Sequence, residues 1–287
     1  MNAAEQQEQT ELSDSSRVRD SGWARNVDRI DIVDSPAGAF AANLDDRMVM
    51  SPLQGFGQLW QRTYRVRMAG TSLTAAEVMA TWKQEFPRFQ PAQNRFRPTE
   101  AGVAPGAMVY IDSSLMQGPA VAAMTEVESG VLVIYADDVS FTVMTPEGFP
   151  VSGWNTFSVH EDEGVLVAQV QGLERANDPI YEFGYRFLGG EKQQDKTWTH
   201  VLRSLASYHG VQAEVELVKR LIDPRLQWAN AGNVWQNAAI RTLLFNLNAP
   251  VRWLRSRLSP QIPVQQVSAQ RGEAQRGKAQ HKETPDN

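Results

Sequence analysis

The chain has 287 residues, of which 42% are hydrophobic and 21% are charged, and its formal net charge is −5. Such values are typical of a globular protein with one or two domains, and they lack the overall positive charge that favours nucleic-acid binding. The sequence contains no cysteine, which excludes disulfides, thiol nucleophiles and cysteine metal sites. No apolar run reaches the ~20 residues that cross a bilayer, and the acidic, polar N-terminus is unlike a signal peptide. We therefore expect a soluble, cytoplasmic protein that binds no nucleic acid.

Residues 1–50 are predicted to form a largely disordered acidic arm. The first part is rich in Gln, Glu and Ser and offers little to bury. Further on, Ile30, Ile32 and Val33 alternate with acidic residues before a proline and a glycine break the run. This pattern indicates an extended segment with little structure of its own. Such a segment could lie on the surface of the main domain.

A strand and a helix with clear end signals follow the arm. Gln58–Met68 is predicted to be a strand. Thr74 and Glu77 have the spacing of a capping box, so a helix should begin just after Thr74. Trp82 and Phe86 lie on its apolar face at helical spacing, and we expect them to pack in the core.

The segment between Pro105 and Gly172 is predicted to be a ladder of short strands. Between its six apolar runs lie turn signals of two to five residues, such as Ser129-Gly130, and strands joined by turns this short are antiparallel neighbours. The ladder is therefore a curling antiparallel sheet, and something apolar must cover its inner face. The six runs are Ala107–Ile111, Val121–Val127, Val131–Ala136, Phe141–Met144, Trp154–Val159 and Val165–Val170.

A long amphipathic helix is predicted to close the sheet. Asp178-Pro179 has the residue types of a helix start, Gly189-Gly190 should interrupt the helix, and Gly210 should end it. The predicted fold class is therefore α+β, a helix-grip domain over residues 51–210 in which a curved antiparallel sheet wraps around this helix. The apolar stripe of the helix consists of Trp198, Val201, Leu202, Leu205 and Tyr208.

Residues 211–258 are predicted to be a helical extension, followed by a disordered basic tail at 259–287. The predicted helices are Val211–Ile222, Asn233–Leu247 and Val251–Leu258. Packing against the domain explains such apolar stripes, whereas the third helix also has the arginine and tryptophan content of a segment that meets anionic lipid headgroups. The residues expected to make this membrane contact are Arg252, Trp253, Arg255 and Arg257.

The order of elements from Trp60 to Gly210, about half of the chain, resembles the START-like superfamily, also called SRPBCC or Bet v 1-like. Within it, the sequence is similar to an uncharacterised domain-of-unknown-function family of bacteria and plants. A departure from this family is Phe149, because members more often have His between the flanking Gly and Pro. The segments that carry the resemblance are Gly102–Gly106, Phe141–Pro150, Gly153–Phe157 and Arg175–Pro179.

The resemblance implies a central cavity that holds a hydrophobic ligand, transfers a lipid or cyclises a polyketide-like substrate. Fold analogy does not decide among these uses.

The polar residues do not form a recognisable catalytic set, metal site or cofactor site. His160 stands beside acidic residues in a predicted hairpin turn, where consecutive side chains diverge. Glu174 and Arg175 follow the last strand of the ladder, where they could form a buried ion pair or hydrogen bonds at a cavity rim.

The predicted ligand-binding residues are aromatic and small side chains on elements that bound the expected interior. In a tightly filled barrel they would only be core, whereas a sheet that curls away from its helix leaves room for a pocket. Leu166, Ala168 and Val170 alternate with polar residues, which indicates the inward face of their strand. The candidates are Tyr110, Tyr135, Phe141, Phe157, Ala168, Trp198 and Leu202.

Three functions are compatible with the sequence: binding of a hydrophobic small molecule or lipid, a non-redox cyclase or dehydratase using the same cavity, and an interaction module with a closed core. An interior acid, His or Tyr with a perturbed pKa would favour the enzyme. An apolar cavity would favour binding, and a packed interior would favour the interaction module.

Overall fold

The computed structural model describes residues 22–24, 29–30, 32, 43–114 and 126–247. The chain divides into a compact unit that ends at Leu244 and a second unit that starts at Phe245, and the fold is that of the first. The predicted basic tail at 259–287, most of the predicted acidic arm before residue 43, the predicted helix Val251–Leu258 and its candidate membrane residues, Arg252, Trp253, Arg255 and Arg257, lie outside the described residues.

The described residues form a curved, fully antiparallel sheet with helices packed against it, which confirms the α+β class. The strand order is β3-β4-β5-β6-β7-β8-β2-β9, with β1 beside β6. The strands are β1 Val49–Met50, β2 Leu59–Met68, β3 Asn94–Pro98, β4 Met108–Ser114, β5 Glu126–Ala136, β6 Ser140–Pro146, β7 Val151–Asp162, β8 Val165–Ala176 and β9 Val215–Asp223. The helices are α1 Ala75–Gln84, α2 Pro179–Phe187, α3 Gly190–Tyr208 and α4 Ala238–Leu247.

Alternation along β8 fixes which side chains face the interior. Ala168 and Val170 are fully buried in the core and lie opposite Val159 and Phe157 of β7. Leu166 belongs to the same core, so the predicted inward face of this strand is confirmed.

Helix α1 begins as its sequence predicts. The Thr74 hydroxyl accepts the Glu77 N–H at 3.3 Å, and the Glu77 carboxylate accepts the Thr74 N–H at 2.8 Å, which completes the capping box. Trp82 and Phe86 are buried in the core as expected, with Phe86 in a short 3-10 turn that follows the helix.

Helices α2 and α3 form the closing layer. One carboxylate oxygen of Asp178 accepts the N–H groups of Ile180 and Tyr181 at 2.8 and 3.0 Å, so Asp178 caps α2 as predicted. Gly189 adopts a left-handed conformation between the two helices, which confirms the predicted interruption. Helix α3 then buries Val201, Leu202 and Leu205 against the sheet.

The predicted turn at Ser129-Gly130 is wrong, because β5 continues through it. A Cβ atom on Gly130 would lie 2.7 Å from the Val109 carbonyl oxygen and 3.1 Å from Leu44. The glycine therefore permits close packing of the N-terminal segment on the strand and does not mark a change of direction.

The predicted helix Val211–Ile222 is also wrong. Most of it belongs to β9, Val215–Asp223, which pairs with β2 and completes the edge of the sheet. Val215, Val218 and Ile222 fit helical spacing, but this local pattern is overridden because the pairing satisfies the backbone groups of β2.

The second predicted helix, Asn233–Leu247, begins later than expected. A 3-10 segment, Trp228–Gln236, precedes α4, which starts only at Ala238. The side-chain oxygen of Asn237 accepts the Ile240 N–H at 3.1 Å, which explains why the α-helix begins there.

The described part of the N-terminal segment lies on the outer face of the sheet. Ile30 and Leu44 are buried there against Met108, Tyr110 and Leu132, in a cluster separate from the main core. Strand β1 also pairs with β6, so the fold begins before the predicted boundary at residue 51.

Candidate functional site

A cavity of about 340 Å³ lies between the inner face of the sheet and helices α2 and α3. This is at the lower end of the range of small-molecule pockets, about 300–1,000 Å³. Its sheet side is mainly apolar and includes Phe96, Ile111, Val131, Val143, Val151 and Phe157. Its helix side includes Ile180, Phe183, Leu188 and Trp198.

An aromatic cluster forms the floor of the cavity. Phe157 stacks on Phe141 with ring centroids 4.4 Å apart and an interplanar angle of 6°. Phe86 and Trp82 meet this pair edge-on, and Trp198 meets Phe157 edge-on at 5.5 Å. Such edge-to-face contacts fix the ring positions, so this side of the cavity is preformed.

Two of the predicted ligand-binding residues, Phe157 and Trp198, line the cavity. Phe141, Ala168 and Leu202 are fully buried in the core but do not line it.

The prediction that Tyr110 and Tyr135 face the interior is wrong. Tyr110 belongs to the buried cluster on the outer face of the sheet. Tyr135 packs against Trp23 with ring centroids 4.8 Å apart and donates to the Asp137 carboxylate at 2.6 Å. Both tyrosines therefore hold the N-terminal segment and the β5–β6 turn.

A buried ion pair stands at one end of the cavity. Arg62 Nη1 lies 3.2 Å from Glu174 Oε1, and each side chain is only 2% exposed. The Arg62 guanidinium makes cation–π contacts with the rings of Trp60 and Tyr185, 5.2 Å from each centroid. Glu174 lines the cavity itself and also accepts a hydrogen bond from Gln194.

Burial changes the proton affinity of this end of the cavity. It raises the pKa of Glu174, although the nearby Arg62 and Gln194 act in the opposite direction. Burial also raises the pKa of the Tyr185 hydroxyl well above its usual value. The protonated forms of both groups are thus favoured, and a carboxyl with a raised pKa is suited to general acid–base chemistry.

Several polar atoms of cavity-lining residues are buried and have no hydrogen-bond partner among the described residues. Gln194 Oε1 is an acceptor, Gln193 Nε2 and Trp198 Nε1 are donors, and the Tyr185 hydroxyl and a protonated Glu174 carboxyl can donate or accept. Buried polar groups are normally paired, so this set has the chemistry to receive a polar group from a bound molecule or water. The atoms are Glu174 Oε2, Gln194 Oε1, Gln193 Nε2, Trp198 Nε1 and the Tyr185 hydroxyl.

A smaller polar pocket of about 170 Å³ adjoins this end. It shares Val151, Glu174 and Tyr185 with the larger cavity, and its other charged residues include Arg186 and Glu191. Glu174 therefore stands between an apolar space and a charged one.

The polar end was only partly visible in the sequence. Glu174 forms a buried ion pair, with Arg62, and also lines the cavity, but it lies within β8 and not after the last strand as predicted, because β8 extends to Ala176. Every second residue of β8 faces the interior. Continuing this alternation from Val170 to Gly172 and Glu174 predicts that the Glu174 side chain also faces inward. Arg62 likewise has the same parity as Tyr64, which is inward. Because arginine side chains are usually exposed, the residue type gives no sign of this burial. No local signal identified Tyr185.

The cavity residues that are also exposed mark its opening. Ile180, Phe183 and Leu188 at the helical layer are each about half exposed, and Ile240 at the start of α4 is 36% exposed. Phe149 lines the cavity too.

Within the described ranges, no group of three His, Asp or Glu side chains could hold a metal ion. His160 is exposed at the end of β7. In the same ranges, none of the helices has the length and hydropathy of a membrane span.

No family model matches the chain, and no curated protein matches it. Similar solved structures include the di-domain ARO/CYC StfQ from the steffimycin biosynthetic pathway, at 11% identity over 53% of this chain and 51% of that chain, with a TM-score of 0.40. A conserved protein from Geobacillus kaustophilus is 10% identical over 55% of this chain and 99% of its own, with a TM-score of 0.38. Truncated norcoclaurine synthase from Thalictrum flavum is 12% identical over 53% and 94%, with a TM-score of 0.37.

These are similarities of fold alone. Membership of the START-like superfamily, and of the domain-of-unknown-function family within it, stays a prediction.

Proposed function

We propose that the protein binds an apolar small molecule or lipid in the cavity between the sheet and helices α2 and α3. The observation that carries the proposal is a preformed space of about 340 Å³ with mainly apolar walls. An interaction module with a closed core is disfavoured by the same observation.

The polar end of the cavity narrows the chemistry of the ligand. At this end Glu174 Oε2 and Gln194 Oε1 have no partner among the described residues, and Gln193 Nε2 and Trp198 Nε1 are unpartnered donors of residues elsewhere along the α3 wall of the cavity. The proposed ligand is therefore mainly apolar with a hydrogen-bonding group at one end, which would pair atoms that are otherwise buried without partners.

The first test is a thermal-shift screen with fatty acids, sterols and polyketide-like aromatics. A ligand that binds only the folded state stabilises it by about 2.7 kcal/mol at a hundredfold excess over the dissociation constant. At least one class should give a saturable rise in the thermal midpoint. Phe157→Ala, which widens the floor, should change which compounds respond.

Gly184 offers a way to fill the cavity without disturbing its walls. It lines the cavity from α2, and a Cβ atom there would have no neighbour within 4 Å. Gly184→Phe should abolish the ligand-induced shift while the protein stays folded, because the new ring occupies the binding space.

The matched control is Gly232→Phe. Gly232 is exposed, also has open space at its Cβ position and does not line the cavity. Retained shifts in Gly184→Phe, or equal loss in both variants, would contradict binding in the cavity.

A second candidate function is a non-redox enzyme that uses Glu174 as a general acid or base on the bound molecule. It is favoured by the raised pKa of this cavity-lining carboxyl. If it is right, mass spectrometry should detect conversion of a responding compound by the wild type. Glu174→Gln should still give a thermal shift with that compound but no product. If neither protein converts the compound, the enzyme hypothesis is contradicted and binding remains the proposed function.

A further inference from the structure

Strand β9 is an edge of the sheet that is open to pairing with a further strand. Among the described residues it pairs with β2 alone, so the backbone groups along its other side have no strand partner. Edge strands that avoid pairing with other chains are usually short or carry proline and charged side chains. β3, at the opposite edge, has five residues, among them Arg95, Arg97 and Pro98. β9 has nine residues and no proline.

Both faces of β9 carry apolar side chains that are exposed to solvent. Leu217 lies opposite the inward-facing Tyr64 of β2, so it is on the inner face and the next residue, Val218, is on the outer face. A strand added at this edge would bring its own side chains beside those of β9 on both faces. The apolar β9 side chains that are at least 36% exposed are Leu217, Val218, Leu221 and Ile222.

The charged side chains of β9 divide between the two faces. On the inner face, Lys219 forms ion pairs with Glu191 and Asp195 of α3 at 2.7 and 2.6 Å. On the outer face, Glu216 and Arg220 are exposed, and neither side chain has an ion-pair or hydrogen-bond partner in the part of the chain that the structure describes. Two opposite charges on one face of an open edge therefore remain available to a partner.

The sequence of β9 is complementary to a second copy of itself. In an antiparallel pair related by a twofold axis, residues at equal distances on either side of the axis lie opposite each other. With the axis at Val218, Glu216 lies opposite the second copy's Arg220, and Val215 lies opposite the second copy's Leu221. This register uses the whole regular part of the strand, because the irregularity in the pairing with β2 comes only after Leu221.

We propose that two copies of the chain form a twofold dimer in which their β9 strands pair antiparallel and join the two sheets. The pairing would satisfy the open backbone groups of both edges, and it would contain two Glu–Arg pairs on the outer face. An axis at Lys219 or Arg220 would instead place like charges directly opposite each other, which is destabilising. The charges therefore select the register with Val218 on the axis.

The test is sedimentation equilibrium of the full chain over a range of concentrations. The wild type should form a dimer. Glu216→Arg and Arg220→Glu should each raise its dissociation constant by about tenfold or more, because two attractive cross-strand pairs become two repulsive ones. Both side chains are exposed, so each variant should keep the wild-type circular dichroism spectrum.

Two rescue measurements distinguish this register from a general effect of charge. The two substitutions combined in one chain exchange the signs and should restore the wild-type dissociation constant. An equimolar mixture of the two single variants should also form a dimer, since each chain then meets the opposite charge. The control, Arg95→Glu, reverses an exposed charge on the opposite edge strand and should leave the dissociation constant unchanged.

A wild type that stays monomeric at the highest concentration would overturn the proposal. It would also be overturned by single variants that dimerise like the wild type, by a combined variant that stays dissociated, or by loss of the dimer in Arg95→Glu. A monomer in which all β9 amides resist hydrogen exchange would assign the cover of this edge to another segment of the same chain.

Discussion

The chemistry of the cavity depends on one buried carboxyl. Glu174 has the inward parity of β8, and its partner Arg62 has the inward parity of β2, so alternation brings two charges into the interior. The sequence shows that both side chains face inward, but it does not show that they form an ion pair. That depends on the register of β2 against β8.

The raised pKa of Glu174 can be measured directly. Carbon NMR of protein labelled at the glutamate carboxyls should show a titration midpoint above the ordinary value of 4.5 for the signal that Glu174→Gln removes. The folded state would then hold this proton more tightly than the unfolded state. The contribution of this group to stability is therefore lost as the pH rises from 4.5 through the folded-state pKa.

Glu77 is the internal control for this titration. Its carboxylate accepts hydrogen bonds from the backbone and hydroxyl of Thr74, which lower its pKa. Its midpoint should lie below 4.5, on the opposite side of the ordinary value from that of Glu174. A Glu174 midpoint at or below 4.5 would contradict the account of the polar end.

At the scale of elements, local signals predicted the helix starts and failed at the sheet edge. The caps at Thr74 and Asp178 depend on residues within three positions, so the sequence contains the whole interaction. Strand β9 depends on β2, about 150 residues earlier in the chain, which no local pattern encodes. Gly130 was misread as a turn for the same reason, since the close contact it permits is with Leu44.

The two caps should differ in their effect on stability. Thr74→Ala removes an exposed cap and should cost about 0.5–2 kcal/mol. Asp178→Ala should cost more, roughly 2–4 kcal/mol, because it also leaves the buried Asn237 amide without its acceptor. Urea unfolding of both variants measures the difference, and equal losses would contradict the role of Asp178 in fixing the segment before α4.

At the scale of the whole molecule, both faces of the sheet are covered, but by different parts of the chain. Helices α1 and α3 cover the inner face, and the described N-terminal residues cover part of the outer face. This explains why Tyr110 was assigned to the wrong side. Tyr110 is as buried as a residue of the inner face. Alternation along a strand separates its two faces, but when both faces are covered it does not show which one faces the helices.

The N-terminal segment is predicted to contribute to stability. Leu44 is completely buried on the outer face, so Leu44→Ala should destabilise the protein by about 2–5 kcal/mol. Leu53→Ala, at a side chain that is 76% exposed, should change the free energy of unfolding by less than about 0.5 kcal/mol. Similar values for the two variants would mean that the segment does not pack on the sheet.

The part of the site that could be predicted is its aromatic wall. Phe157 and Trp198 follow from strand alternation and from the helical stripe. The opening could not be predicted, because it depends on how α2 and the residues before α4 pack beside each other.

The central claim is that a ligand occupies the cavity, and the indole N–H signals of the eight tryptophans test it most directly. Trp198 lines the cavity and its indole nitrogen has no partner among the described residues, whereas Trp235 is 86% exposed outside it. Proton–nitrogen spectra should be recorded while the compound with the largest thermal shift is added, with the Trp198 signal assigned through Trp198→Phe. The account predicts that the Trp198 signal moves and saturates while the Trp235 signal stays in place. A Trp198 signal that does not move while the Trp235 signal does would contradict binding in the cavity and put the compound on the surface.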